Sequence, residues 1–211
     1  MTDWLKVKMT APFGWEQGGA RSASGDGMRR RSEAGVSLIE LLITIAVFAI
    51  VSGMAATIMI NVVPSVHADS SMELVVSTLQ QAHQAAISQR RNFLVTFIGT
   101  NEIKVQREEL PPGSGTLTTI SDNILGNGVT YTLVTGVPDT PDGFGSSKAI
   151  TFTSNEIVFM SDGTAVDTSS NLLNGTVFMA IGTNPATARA VTVMGATSRV
   201  KGYRYNGSAW N

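Results

Sequence analysis

Glu40 is the residue whose chemistry most needs a partner. It lies in the most apolar stretch of the chain, after Gly35-Val36-Ser37-Leu38-Ile39 and ahead of a run from Leu41 to Val63 that carries no further charge. A carboxylate inside such a segment costs roughly 2.5–3.5 kcal/mol on insertion scales, so it is expected to pair. The chemistry within reach is an ion pair. A cut after Gly35 would put a new α-amino group on Val36, one helical turn from Glu40, and the dipole at a helix N-terminus favours the acid there as well. In an assembly, Glu40 would meet the amine of a neighbouring copy instead. Such a pair would set the register between apolar helices, as a buried polar group sets coiled-coil register.

No catalytic set assembles from the remaining residues. The chain has no cysteine, which removes thiol nucleophiles, disulfides and Cys-based metal sites. His67 and His83 fall in or near a helix without a nucleophile beside them, and they read as solvated or rim residues. Glu108-Glu109 reads as a solvated turn. Gly126-Asn127-Gly128 and Gly143-Phe144-Gly145 lack the strand–loop–helix setting of a phosphate cradle. Asp139, Asp142, Asp162 and Asp167 lack the dense spacing of a calcium loop. The expectation is a chain with no enzymatic role, no cofactor and no metal.

One charged cluster remains. Arg199, Lys201 and Arg204 stand among Tyr203, Tyr205 and Trp210. In a strand, Arg199, Lys201 and Tyr203 would share one face, with Arg204 opposite. Basic groups interleaved with aromatics can hold a phosphate backbone and stack on bases, so these three cations are candidate DNA contacts. The competing reading is a solvated edge strand whose charges discourage edge-to-edge pairing. A net charge of −1 supplies no global field toward nucleic acid.

The elements that position these groups follow from periodicity. Residues 36–64 are long and apolar enough to cross the ~30 Å hydrocarbon core as a helix. Arg29, Arg30 and Arg31 hold the preceding end in the cytoplasm, so the C-terminal part is exported. An ordinary signal anchor with a chance acid satisfies the same pattern. Residues 1–35 read as a leader, with Met28 as a candidate true start and no periodicity before it. Pro64 is expected to kink or end the helix near Val63. A second, amphipathic half then runs from about Ala68 to Arg91, with Leu74, Val75, Leu79, Ala82, Ala86 and Ile87 on its apolar side.

From Asn92 the period changes to two. Residues 93–98 and 102–107 read as a hairpin. Further strands are expected at 129–134, 149–153, 157–159, 176–181, 190–194 and 199–205, with loops at 111–115 and 138–147 and a tight turn at 161–164. The fold class is α+β: one long N-terminal helix, membrane-spanning in its first half and amphipathic in its second, packed on an antiparallel sheet domain over 65–211.

Residues 29–60 resemble the N-terminus of the type IV pilin and type II secretion pseudopilin superfamily. That pattern is a basic leader, Gly, an apolar residue, Ser or Thr, two apolar residues, Glu, and a long apolar run; Val36 stands where Phe is most frequent. Downstream, residues 74–91 followed by a strand, then Ile150-Thr151-Phe152, Phe159 with Asp162-Gly163, and two strands ending near Arg199-Val200-Lys201, look like the GspH/FimT branch of pseudopilins and minor pilins. Here Ser198-Arg199-Val200-Lys201 replaces the branch's Gly-Arg-Val-Arg. The resemblance implies cleavage after Gly35 by a prepilin peptidase, methylation of the Val36 amine, and assembly through Glu40. It implies a single-pass bacterial inner-membrane protein with a periplasmic domain. After leaving membrane lipid, the subunit would join a pseudopilus with other pilins or pseudopilins on an inner-membrane assembly platform. Some FimT-like minor pilins take up DNA through a basic C-terminal motif, which is the alternative function.

Overall fold

The computed structural model describes residues 35–111 and 113–211. The leader expected over 1–35, with its arginines and Met28, lies outside these residues except for Gly35. By internal contacts the chain divides into Met1–Ile45 and Ala46–Asn211. Gly35–Ser37 of the first unit lead into helix α1, Leu38–Gln89, most of which belongs to the second. The Ser37 carbonyl accepts from the amides of Glu40 at 3.0 Å and Leu41 at 3.1 Å, which starts the helical ladder.

Pro64 lies inside α1, and the helix neither ends nor restarts there. This corrects the expectation that the helix ends near Val63. A proline removes one backbone donor and crowds the preceding turn, but the ladder can resume beyond it. The helix stops at Gln89. Arg90 takes a left-handed φ of 52°, and the Arg91 amide reaches back to the Ala86 carbonyl at 3.2 Å. That long return bond is the usual way a left-handed residue closes a helix.

Two antiparallel sheets complete the second unit. The first comprises β1 (Phe93–Ile98), β2 (Glu102–Glu108), β3 (Leu117–Ile124), β5 (Glu156–Phe159) and β6 (Ala165–Val166), in the order β3-β2-β1-β5-β6. The second comprises β4 (Val129–Tyr131), β7 (Gly175–Ile181), β8 (Arg189–Met194) and β9 (Arg199–Arg204), in the order β4-β7-β8-β9. The hairpin pairs Val95 with Val105 and Phe97 with Ile103, so alternate residues of both strands turn into one core.

That core is built on α1. Ala68, Ser71, Val75, Thr78, Leu79, Ala82 and Ala86 are buried, at the three- and four-residue spacing of one helix face. Val75, Leu79, Ala82 and Ala86 meet Phe93, Val95, Phe97, Ile157 and Phe159 from the first sheet and Val177, Met179, Val191 and Val193 from the second. Ile87, expected on this face, is 43% exposed. Where α1 crosses β9, the strand has Gly202. A Cβ there would lie 3.1 Å from the Met72 sulfur and 3.4 Å from Val76, so glycine permits the close approach. The far side of the second sheet is covered by residues 133–137 and Trp210, which pack on Phe178, Ala180, Ala190 and Tyr205. This explains why β7 is buried on both faces.

Three strand expectations change. Residues 149–153 form no strand: Ile150 makes a single bridge to Val177, and a 3₁₀ turn follows at Thr153–Asn155. The strand expected over 129–134 ends at Tyr131, and Val134 turns into the outer cluster. The eight residues of β3 were not anticipated. Their apolar members, Leu117, Ile120 and Ile124, are spaced three and four apart, and an irregularity in register beside Val105 and Gln106 breaks the alternation.

Candidate functional site

Gly35 and Val36 precede α1, Glu40 lies in its first turn, and all three are exposed. Every side chain from Leu38 to Ala55 is exposed, and this stretch has a mean hydropathy of 2.4, long and apolar enough to cross a membrane. Leu38 is 80% exposed and Phe48 73%. Apolar surface of this extent needs lipid or protein around it. Thr44 satisfies its hydroxyl by donating to the Leu41 carbonyl at 2.8 Å.

The domain grips α1 just beyond Pro64. Arg189, the first residue of β8, is fully buried. Its Nε donates to Asp69 Oδ1 at 2.5 Å, one terminal nitrogen donates to the Ala186 and Ala188 carbonyls, and the other donates to the Ser65 carbonyl and hydroxyl. All five guanidinium N–H groups therefore have acceptors. Arg204 of β9 adds a two-point bond to the same Asp69 carboxylate, at 3.0 and 2.5 Å. Two strands of the second sheet thus hold one helical turn, Ser65 to Asp69. None of these three side chains was singled out with this role from the sequence. The available signals were a lone cation opening an apolar strand and Asp69, the first acid after the apolar run.

The C-terminal basic cluster is placed on β9 as expected. Arg199, Lys201 and Tyr203 pair with Met194, Thr192 and Ala190 on one face, and Arg204 faces the other. Their charges are already engaged. Arg199 pairs with Asp142 at 3.0 Å, Arg204 with Asp69, and Lys201 sits 4.4 Å over the Tyr203 ring. Asp142 also accepts from the Thr192 hydroxyl at 2.6 Å. Of these three candidate DNA contacts, Arg199 and Arg204 stand in ion pairs and keep about half of their side-chain surface exposed.

Among the described residues no cluster of His, Cys, Asp or Glu could hold a metal. His83 is half-buried and packs against Phe159 with ring centroids 5.8 Å apart, and His67 is half-buried on α1. Glu108 and Glu109, read as a solvated turn, are half-buried. Glu109 is paired with Arg91 at 2.8 Å and Arg107 at 2.6 Å.

Comparison with known proteins identifies the N-terminal element. The family model of the prokaryotic N-terminal methylation motif matches residues 30–56, which include Gly35, Val36 and Glu40. Among solved structures, the chain is similar to the type IV minor pilin FimU of Pseudomonas aeruginosa, at 16% identity and a TM-score of 0.42, over 64% of this chain and 90% of that one. It is also similar to the minor pseudopilin EpsH of the Vibrio cholerae type 2 secretion system, at 14% identity and a TM-score of 0.45, over 68% of this chain and 99% of that one. No curated protein matches the sequence.

Proposed function

We propose that this chain is a minor pilin-like subunit of a type II secretion pseudopilus or a related type IV pilus-like filament. Its role is structural. The observation that carries this reading is the N-terminal methylation motif over residues 30–56, set at the head of a helix whose apolar surface is left uncovered.

The mechanism is an exchange of solvents. A prepilin peptidase cleaves after Gly35 and methylates the Val36 amine, with the subunit resting in the bacterial inner membrane and residues 65–211 in the periplasm. In lipid, the bilayer surrounds the apolar side chains of residues 36–64. In the filament, helices of neighbouring subunits do so, and Glu40 gains an amine partner. A carboxylate in an apolar setting is tolerated only when paired, so Glu40 favours the aligned assembly over misaligned ones. The Arg189–Asp69–Arg204 grip holds the domain to the turn of α1 that follows Pro64.

The test is Glu40→Leu, expressed beside the native chain. The variant is expected to fractionate with the inner membrane as before and to be lost from sheared filaments. If Glu40→Leu enters filaments at the native level, Glu40 has no part in assembly.

A further inference from the structure

The face of the first sheet turned away from α1 carries a cleft of about 390 Å³. Its floor is a row of cross-strand neighbours: Leu94 on β1 stands opposite Val158 on β5, which stands opposite Val166 on β6. Toward the other edge, Leu117 on β3 stands opposite Glu108 on β2. Leu94 pairs with Gln106 on β2, so Glu108 and Leu117 stand two residues further along and the cleft crosses the sheet on a diagonal. Four strand spacings make it roughly 19 Å wide, about the length of six extended residues. Residues 113 and 167–170 rise beside it. A second cleft of about 230 Å³ shares Asn92, Glu108 and Met160, extends to Leu110, which is 61% exposed, and is also lined by Arg90, Arg91 and Glu109.

The charged side chains that line the first cleft are both acidic, Glu108 and Asp167. Glu108 accepts from the Asn92 side chain at 2.8 Å and the Gly113 amide at 2.6 Å. Asp167 accepts from the amides of Ser169 and Asn171 at 2.8 and 2.9 Å. The Asn171 amide and side chain hold the Asp167 carboxyl below its ordinary value, so it is anionic at neutral pH. Among the described residues, neither carboxylate has a Lys or Arg partner, whereas the adjacent Glu109 has two. An apolar floor between two uncompensated carboxylates fits a side chain with an aliphatic stem and a cationic head.

We propose that this cleft binds an extended segment of another filament subunit. The segment presents an arginine or lysine whose stem lies over Leu94 and Val158 and whose head reaches Glu108 and Asp167. Lying across the strands, it would make no ladder hydrogen bonds, so side chains alone select it. The filament reading supplies the origin of the segment; the chemistry of the cleft does not depend on it.

The experiment uses the full chain in detergent micelles and fluorescein-labelled hexapeptides with Gly-Ser flanks around Leu-Arg, Leu-Glu or Ser-Arg. Fluorescence polarisation is expected to show Leu-Arg binding at least about tenfold tighter than either control. Glu108→Gln and, separately, Thr168→Lys are each expected to weaken it about tenfold. Thr168 is exposed in the wall of the cleft, so a lysine there supplies the missing cation without disturbing the core. Equal binding of Leu-Arg and Leu-Glu, no binding of any peptide, or unchanged binding in both variants overturns the proposal. Peptide binding requires no filament, so failure here leaves the Glu40→Leu result standing, and the reverse also holds.

Discussion

Asp69 serves two arginines of very different exposure. Arg189 is 0% exposed and Arg204 56%. Asp69→Ala leaves a buried guanidinium without its counter-charge and should cost about 3–5 kcal/mol. Arg204→Ala removes a solvated partner and should cost about 1 kcal/mol or less. Urea unfolding of the full chain in micelles checks this, and equal losses in the two variants would contradict the assignment. The sequence made Glu40 conspicuous because an acid in an apolar run stands out by itself. It left Arg189 inconspicuous because a buried cation is recognised only through acceptors 120 or more positions away in the chain, Asp69 and Ser65.

At the scale of elements, periodicity carried most of the fold. The stripe Val75, Leu79, Ala82, Ala86 and the hairpin over residues 93–107 are local patterns, and the structure shows both, with the second strand one residue longer. What escaped depends on distant neighbours. β3 exists because β2 offers it a ladder, and the passage of α1 through Pro64 reflects the surroundings of the following turn. Leu79→Ala should cost about 2–5 kcal/mol, since Leu79 is fully buried between the sheets. The same change at half-exposed Ile87 should cost less than half as much. Gly202→Val should cost about 1–3 kcal/mol by forcing β9 away from Met72 and Val76. Thermal unfolding of the three variants side by side tests this ranking, and a larger loss at Ile87 than at Leu79 would reverse the placement of the helix face.

At the scale of the molecule, the folded domain holds several carboxylates below their ordinary range. Arg107 does so for Glu109, first through hydrogen bonds and then through its charge. Partial burial works to raise Asp142, but the Thr192 hydroxyl and the Arg199 charge outweigh it. The Thr164 hydroxyl and amide lower Asp162, and the Asn171 amide lowers Asp167. A group depressed in the folded state contributes its stability above its unfolded value and loses it as pH falls through the folded one. The melting temperature should therefore hold down to about pH 5 and fall below about pH 4. A melting temperature that rises on acidification below that point would contradict the ion pairing described.

The proposed function requires residues 30–56, which match the methylation motif, to be a processed assembly element and not a plain anchor. Mass spectrometry of the N-terminal peptide of the chain purified from membranes tests it most directly. A peptide beginning at Val36 with one methyl group on its α-amine is expected; a peptide in which Gly35 and Val36 remain joined would rule the processing out.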